Sequence, residues 1–131
     1  MTQSVVFVYG SLKRGYALHH LLHTARFLST ARTQPLYRLF DLGSYPGLVE
    51  WPEGREIDGE LYVVTQENLL RLDEAEGVAE GLYARRPILL QPAERILPPG
   101  ETQPAETPPD AEAWFWLHAT AGRRDCGNAW P

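Results

Sequence analysis

Residues 5–15 read Val-Val-Phe-Val-Tyr-Gly-Ser-Leu-Lys-Arg-Gly, and the fold prediction starts from this stretch. Val5–Tyr9 is β-branched and aromatic throughout, which predicts a strand buried on both faces. Gly10 ends the strand, and Gly15 closes the short loop that follows it. The chain therefore opens on a buried strand that leads into a tight, glycine-bounded loop.

Two amphipathic helices are predicted beside this strand. From about Ala17 to Leu28, apolar residues recur at helical spacing. A second helix is predicted to follow Thr65 as its N-cap, to run to Glu76 and to end at Gly77, a residue type expected just past a helix end. Further strands are predicted at residues 36–42, 48–49, 56–64, 87–91 and 113–118. Strands outnumber helices without a regular βαβ alternation, so the predicted class is α+β, with a mixed, strongly curved sheet and helices beside it.

Composition predicts a globular protein and disfavours several kinds of partner. The 131 residues fit a single domain spanning 1–131, and 44% of them are hydrophobic. The formal net charge is −5 and the basic residues form no stripe, which disfavours a nucleic-acid partner. A single cysteine cannot form an internal disulfide, no signal peptide is recognised, and no apolar run approaches the ~20 residues that span a bilayer. We therefore expect a cytoplasmic protein that does not contact membranes.

Proline is concentrated in one segment. Residues 92–110 hold six of the 11 prolines, which predicts an extended Pro-rich surface loop rather than a core element. Its length exceeds that of most loops in compact domains, so it is either functional or, as we favour, a tolerated insertion.

Glu76 is the first candidate for chemistry. On the predicted helix, Leu69, Leu72 and Glu76 lie at positions i, i+3 and i+7 and therefore share one face. A carboxylate on the buried face loses hydration, and the helix dipole disfavours a negative charge at the C-terminus. Both effects are expected to raise the pKa of Glu76 towards neutrality, as a general acid/base requires. The alternative is that Glu76 extends into solvent or pairs with Arg85 or Arg86.

The loop after the first strand is the second candidate. Backbone N–H groups between a strand and a helix bind anions, so the loop Tyr9, Gly10, Ser11 and Leu12 could hold a substrate carboxylate. The alternative is a plain strand-to-helix turn. The loop is not a phosphate-binding P-loop, because the residues after Gly15 do not match that motif.

Other reactive side chains lack the neighbours that their chemistry needs. His19 and His23 share a helical face, but no third ligand in a zinc-binding pattern accompanies them. Ser11 lacks a nucleophile elbow, and Cys126 has no local Cys/His pattern. The aromatic run at residues 114–116 is most simply core, although one of its rings could line a pocket.

Three segments carry a more specific pattern. Val6–Gly15 contains Tyr-Gly-Ser-Leu, Asp41–Val49 contains Tyr-Pro-Gly, and residues 72–77 read Leu-Asp-Glu-Ala-Glu-Gly before Tyr83 and Arg85. In this order they resemble the gamma-glutamylcyclotransferase-like family, with its opening Tyr-Gly-Ser/Thr-Leu loop, its Tyr-Pro-Gly stretch and its Leu-Asp-x-x-Glu-Gly followed by Tyr-x-Arg. Each segment is weak alone, and the ordered combination is strong.

The resemblance implies a small curved β-sheet or barrel with flanking helices, and an enzyme that needs neither metal nor organic cofactor. By position, it implies that Tyr9, Gly10, Ser11 and Leu12 cradle the glutamyl moiety of a small gamma-glutamyl substrate, and that Glu76 is the acid/base. The implied reaction is attack of the substrate's own α-amine on its side-chain carbonyl, which releases 5-oxoproline.

Two other functions fit the same residues. The first is a non-catalytic module that binds a small carboxylate in the same pocket, since small folds host unrelated functions. The second, weaker, is transfer of the glutamyl group to another amine. The sequence predicts neither the leaving amine nor an oligomeric state.

Overall fold

The computed structural model describes residues 3–10, 12–13, 19–92 and 108–130. Most of the Pro-rich loop predicted at 92–110 thus lies outside the described residues. The described strands are β1 Gln3–Val8, β2 Arg26–Arg32, β3 Tyr37–Asp41, β4 Pro46–Glu50, β5 Asp58–Thr65, β6 Tyr83–Ile88, β7 Ala111–Trp116 and β8 Arg124–Asp125. The helix α1 covers Gln66–Ala75, and a short 3-10 helix covers His19–Leu22. In the described ranges, no helix has the length and apolarity to cross a membrane.

The described strands form two sheets. The larger has the order β2-β5-β1-β7-β6; β1 and β7 are parallel and the other neighbours antiparallel, so this sheet is mixed. The smaller, antiparallel sheet has the order β4-β3-β8. The predicted α+β class with a mixed sheet and helices beside it is confirmed.

The barrel prediction is wrong for the described strands. Closure would require a hydrogen-bonded ladder between the two edge strands of the larger sheet, β2 and β6. Just beyond their ends, Thr33 and Leu90 form an isolated bridge, and the pairing does not continue into a ladder. The edge strands thus meet at one end, and the sheet remains open.

The central part of the larger sheet, around β1, is buried on both faces, as the sequence of β1 predicts. Phe7 lies on the face that packs against Leu39 and Leu48 of the smaller sheet. Val6 lies on the opposite face and packs in a second cluster with Leu72 of α1. Because successive strand residues point to opposite faces, an unbroken apolar run is what a sheet between two layers requires.

The helix predicted from Ala17 to Leu28 is wrong over residues 19–28. This segment forms the short 3-10 helix and then enters β2, which pairs antiparallel with β5 and has a register shift between Phe27 and Ser29. Leu22 is buried, so part of the apolar spacing does serve the core. The strand conformation of the residues that follow is determined by their hydrogen bonds to β5, which lies far away in the sequence.

The other predicted strands are present with altered bounds. Those predicted at 36–42, 48–49 and 56–64 correspond to β3, β4 and β5. The strand predicted at 87–91 begins earlier, because β6 pairs with β7 from Tyr83 onwards. The strand predicted at 113–118 is β7, and it is not the last, since β8 follows and pairs with β3.

The second predicted helix is confirmed at both ends. The Thr65 hydroxyl accepts a hydrogen bond from the Asn68 backbone N–H at 3.1 Å, and the Asn68 Oδ1 accepts one from the Thr65 N–H at 3.2 Å. This capping box satisfies two N–H groups that a helix start leaves without partners. Glu76 is the C-cap, and Gly77 follows with φ of 72°, a conformation that strongly favours glycine.

Candidate active site

A cavity of about 290 Å³ lies at the C-terminal end of α1. The start of β6, the loop after β1 and the turn before β4 supply its other walls. Tyr9, Gly10, Leu12 and Glu76 all line it, so Glu76 meets the predicted loop although it lies 64 positions after Leu12 in the sequence. The fifth, Ser11, lies outside the described residues.

Local structure at the helix end brings Glu76 to this cavity. The Glu76 backbone N–H still donates to the Leu72 carbonyl at 3.0 Å, so the residue keeps its helical orientation. Leu72 and Leu69 are buried on the same side of α1. At Gly77 the chain turns away, and a Cβ there would lie 2.8 Å from Leu82 Cδ1. The tight turn thus returns the chain to Tyr83, which lines the same cavity.

Among the described residues, the Glu76 carboxyl has no compensating partner. It is partly buried, and among the described residues none donates a hydrogen bond to it or pairs with it. Burial, and then the nearby charge of Asp73, raise the pKa of Glu76 to about 7. The predicted upward shift is therefore present, and Asp73 is a cause that the sequence argument did not include. Arg85, the alternative partner, instead pairs with Asp73 and Glu112.

Two phenols face the carboxyl from the other walls. Burial is the main cause that raises the pKa of Tyr9 and of Tyr83, and the Glu76 carboxylate raises both further. Both hydroxyls are therefore protonated at neutral pH. Tyr9 donates to the Trp114 carbonyl at 2.6 Å, and Tyr83 donates to the Pro46 carbonyl at 2.6 Å. These bonds connect the loop after β1 to β7, and β6 to the start of β4.

The loop after β1 forms a turn against Pro46. The Lys13 N–H donates to the Gly10 carbonyl at 2.9 Å, and the His19 Nδ1 lies 2.9 Å from the Leu12 carbonyl oxygen. A Cβ on Gly10 would lie 2.6 Å from Pro46 Cγ, so only glycine allows this approach without a shift. The predicted helix after the loop is absent over residues 19–28, so no helix dipole from that range supports anion binding at the loop.

Three aromatic wall residues were not predicted as site residues. Tyr45, Tyr83 and Trp114 all line the cavity. Tyr83 stands in the Tyr-x-Arg pattern, which could have indicated it. Trp114 is the ring of the aromatic run that lines the pocket, but strand alternation alone cannot say which face borders a cavity. Tyr45 carried no signal beyond its place in Tyr-Pro-Gly.

The histidines singled out in the sequence contact backbone groups. His23 Nδ1 lies 2.9 Å from the His20 carbonyl oxygen, as His19 Nδ1 does from that of Leu12. Across the ranges that the structure covers, no three His, Cys, Asp or Glu side chains lie close enough together to hold a metal ion.

Comparison with known proteins identifies a family. The family model described as "Gamma-glutamyl cyclotransferase, AIG2-like" matches residues 6–130. The human gamma-glutamylaminecyclotransferase is 37% identical over 112 residues, which are 79% of this chain and 72% of the relative. A Vibrio cholerae protein provisionally named a gamma-glutamylcyclotransferase is 43% identical over 76 residues, 58% of this chain. That match spans 64% of the Vibrio protein's own length, just under two thirds.

Solved structures share the architecture. A mouse AIG2-like protein superposes with a TM-score of 0.67 at 26% identity, covering 93% of this chain and 81% of that one. A protein specific to uropathogenic E. coli gives a TM-score of 0.74 at 21% identity, covering 96% of this chain and 89% of that one. At this lower identity the second likeness shows the fold alone.

Proposed function

This chain belongs to the gamma-glutamyl cyclotransferase, AIG2-like family, and we propose that it releases 5-oxoproline from a small gamma-glutamyl amine or peptide. One observation carries the proposal. The Glu76 carboxyl, unpaired among the described residues and with a pKa raised to about 7, lines a cavity whose wall also contains the loop at Tyr9, Gly10 and Leu12. A carboxyl whose pKa lies near the working pH can both accept and return a proton.

The reaction needs little from the protein beyond positioning and proton transfer. The Glu76 carboxylate takes a proton from the substrate's α-ammonium group, and the free amine attacks the side-chain carbonyl carbon. The attack forms a tetrahedral intermediate that contains the five-membered ring, and the intermediate collapses as the C–N bond to the leaving amine breaks. Glu76 returns its proton to that amine, and the second proton of the ring nitrogen then passes through the Glu76 carboxylate to the released amine or to solvent, which leaves the neutral lactam. Nucleophile and electrophile belong to one molecule, so holding the substrate in a folded conformation supplies much of the rate enhancement.

The remaining cavity walls suit the rest of the substrate. The backbone at Gly10 and Leu12 could hold the substrate α-carboxylate, or stabilise the oxyanion that develops on the attacked carbonyl. Tyr9 and Tyr83 keep their protons, and their hydroxyls hydrogen-bond to backbone carbonyls, so they add no negative charge to a site that binds an anion.

Glu76→Gln is the direct test, because it preserves shape and removes proton transfer. Purified wild type is incubated with gamma-glutamyl amines and peptides, and 5-oxoproline is measured by mass spectrometry. We expect the substitution to lower turnover by about 10²- to 10⁴-fold. Glu74→Gln is the matched control, since Glu74 is exposed on the same helix and does not line the cavity. Equal lactam release by wild type and Glu76→Gln would exclude a catalytic role for Glu76.

The same assay separates the alternatives. A non-catalytic carboxylate-binding module would release no lactam from any substrate, and Glu76→Gln would leave its ligand affinity nearly unchanged. A glutamyl transferase would yield a new gamma-glutamyl amide, with a mass that distinguishes it from the lactam.

A further inference from the structure

Trp114 connects two opposite walls of the Glu76 cavity. Its backbone carbonyl accepts the Tyr9 hydroxyl at 2.6 Å, on the side of the loop after β1. Its indole Nε1–H donates to the Asp73 Oδ1 at 2.9 Å, on the side of α1. The residue is almost fully buried, so neither bond competes with bulk water.

Asp73 is held by more than this bond. Arg85 donates from Nε to the Asp73 Oδ1 at 3.0 Å and from Nη2 to the Asp73 Oδ2 at 3.1 Å, a bidentate pair. The third contact of the guanidinium, from Nη1 to the Glu112 Oε1 at 2.8 Å, reaches β7. The side chains of Asp73 and Arg85 are 18% and 24% exposed, so the pair is better shielded than a surface ion pair. Asp73 thereby ties the last turn of α1 to both β6 and β7.

This attachment lies one helical turn before Glu76. Asp73 and Glu76 are three positions apart, and side chains at that i, i+3 spacing share a helix face. The backbone between them remains helical, as the bond from the Glu76 N–H to the Leu72 carbonyl shows. Any displacement of Asp73 would therefore be transmitted directly to Glu76.

We propose that Asp73 and Trp114 are positioning residues, and that the bonds linking Tyr9, Trp114 and Asp73 fix the Glu76 carboxyl relative to the loop at Gly10. The catalytic consequence rests on the function proposed above, whereas the structural link does not. Asp73 thus acts through Glu76 rather than on the substrate. A loss of position of about 1 Å at a reacting group can lower the rate by about a hundredfold.

The negative charge of Asp73 also contributes to the electrostatic potential at the Glu76 carboxyl. Among the described residues, the titratable groups that face Glu76 or line its cavity are Tyr9 from the loop after β1, Tyr45 from the turn before β4, Tyr83 from β6 and Asp73 from α1 itself. The Arg85 charge lies behind Asp73. Asp73→Asn keeps an oxygen that can accept from Trp114, but it removes the negative charge and leaves the positive charge of Arg85 only partly compensated. Both changes favour the ionised form of Glu76, so its pKa should fall.

The experiment measures Glu76 itself as well as turnover. The Glu76 carboxyl carbon is titrated by NMR in wild type and in Asp73→Asn, and kcat and KM are measured across pH in both. We expect a lower titration midpoint, a parallel move of the acid limb of kcat/KM, and a kcat reduced about tenfold or more at little change in KM. Arg71→Gln is the control, because Arg71 forms an exposed pair with Glu67 on the same helix.

A second variant tests the hydrogen bond rather than the charge. Trp114→Phe removes the indole N–H and leaves the backbone carbonyl that accepts from Tyr9. We expect it to lower kcat. Asp73→Ala removes the same hydrogen bond from its other end, so we expect the double variant of Trp114→Phe with Asp73→Ala to be less impaired than two independent effects would make it.

The outcomes separate this proposal from the proposed function. A Glu76 midpoint unchanged by Asp73→Asn, or fully additive losses in the double variant, would overturn the positioning role even in an active enzyme. A midpoint that Asp73→Asn shifts, in a protein whose wild type releases no lactam, would support the link and reject the cyclotransferase activity.

Discussion

Two hollows in the described part of the structure differ in character, and the smaller of them holds the better candidate for chemistry. The described residues leave an open groove of about 890 Å³ along β2 and β5, and a cavity of about 290 Å³ beside Glu76. In the groove, Arg32 pairs with Asp58 at 2.7 Å and with Glu56 at 3.6 Å, and all of these side chains are well exposed. In the cavity, a partly buried carboxyl has no cationic partner among the described residues. Desolvation, rather than size, distinguishes the two.

This difference has a physical cause in how each carboxylate is solvated. An exposed carboxylate beside a guanidinium keeps much of its hydration, so the ion pair changes the free energy of unfolding little. A carboxylate in a mostly apolar cavity loses hydration without gaining hydrogen bonds, and its neutral form becomes competitive near neutral pH. The contrast predicts effects that are large at Glu76 and small at Asp58.

The largest predicted effect is on the pH dependence of activity. If catalysis begins with the Glu76 carboxylate, kcat/KM should fall as pH decreases through about 7, the raised pKa of that group. Because each further pH unit lowers the ionised fraction about tenfold, activity at about pH 5 should be about a hundredfold below the plateau. The measurement is kcat/KM between about pH 5 and 8. Asp58→Asn is the comparison, and it should leave the pH at which kcat/KM falls unchanged. A fall only near the ordinary pKa of a glutamate would contradict the assignment.

The next effect is on stability and does not require a substrate. The pKa of Glu76 rises from 4.5 to about 7 on folding, so the folded protein holds the proton more tightly than the unfolded chain. The wild type is therefore fully stabilised below about pH 4.5, and loses up to about 2 to 3 kcal/mol as the pH rises through 7. Glu76→Gln does not titrate, so it should match the wild type near pH 4 and exceed its stability near pH 8.

Urea unfolding of both proteins at the two pH values measures this difference. A gain for Glu76→Gln that was the same at acidic and alkaline pH would show that packing, rather than ionisation, had changed. If the gain in stability were confined to alkaline pH and turnover were lost, Glu76 would be a residue that is needed for activity and lowers stability when ionised.

Local signals in the sequence predicted one wall of the cavity well. Thr65, Asn68 and Gly77 lie within one helix and its caps, and their effects depend on residues a few positions away. For that reason the bounds of α1, the face that carries Leu72, and the direction of the Glu76 pKa shift could all be predicted. The missing element was Asp73, because its charge matters through distance and burial rather than through sequence pattern.

Non-local pairing explains what the sequence did not reveal. The spacing of Leu21, Leu22 and Ala25 suits a helix, yet Phe27 and the residues after it pair with β5, 26 to 35 positions away. The same holds for Trp114, which joins the site because β7 lies beside β1, and for the short β8, which depends on β3. Which ring faces a cavity is decided by such pairings.

The smallest predicted effect is at Asp58 in the groove, and it tests whether pairing and exposure make a charge unimportant. Asp58→Asn removes the ion pair with Arg32 but keeps the backbone hydrogen bond from the Asp58 N–H to the Asn128 carbonyl at 2.7 Å. Because exposed ion pairs contribute little to stability, unfolding in urea and kcat/KM should both match the wild type. Raising the salt concentration should leave this equality unchanged, since little electrostatic stabilisation is present to be screened. A clear loss of turnover would mean that the groove takes part in the reaction, and the contrast between the two hollows would then fail.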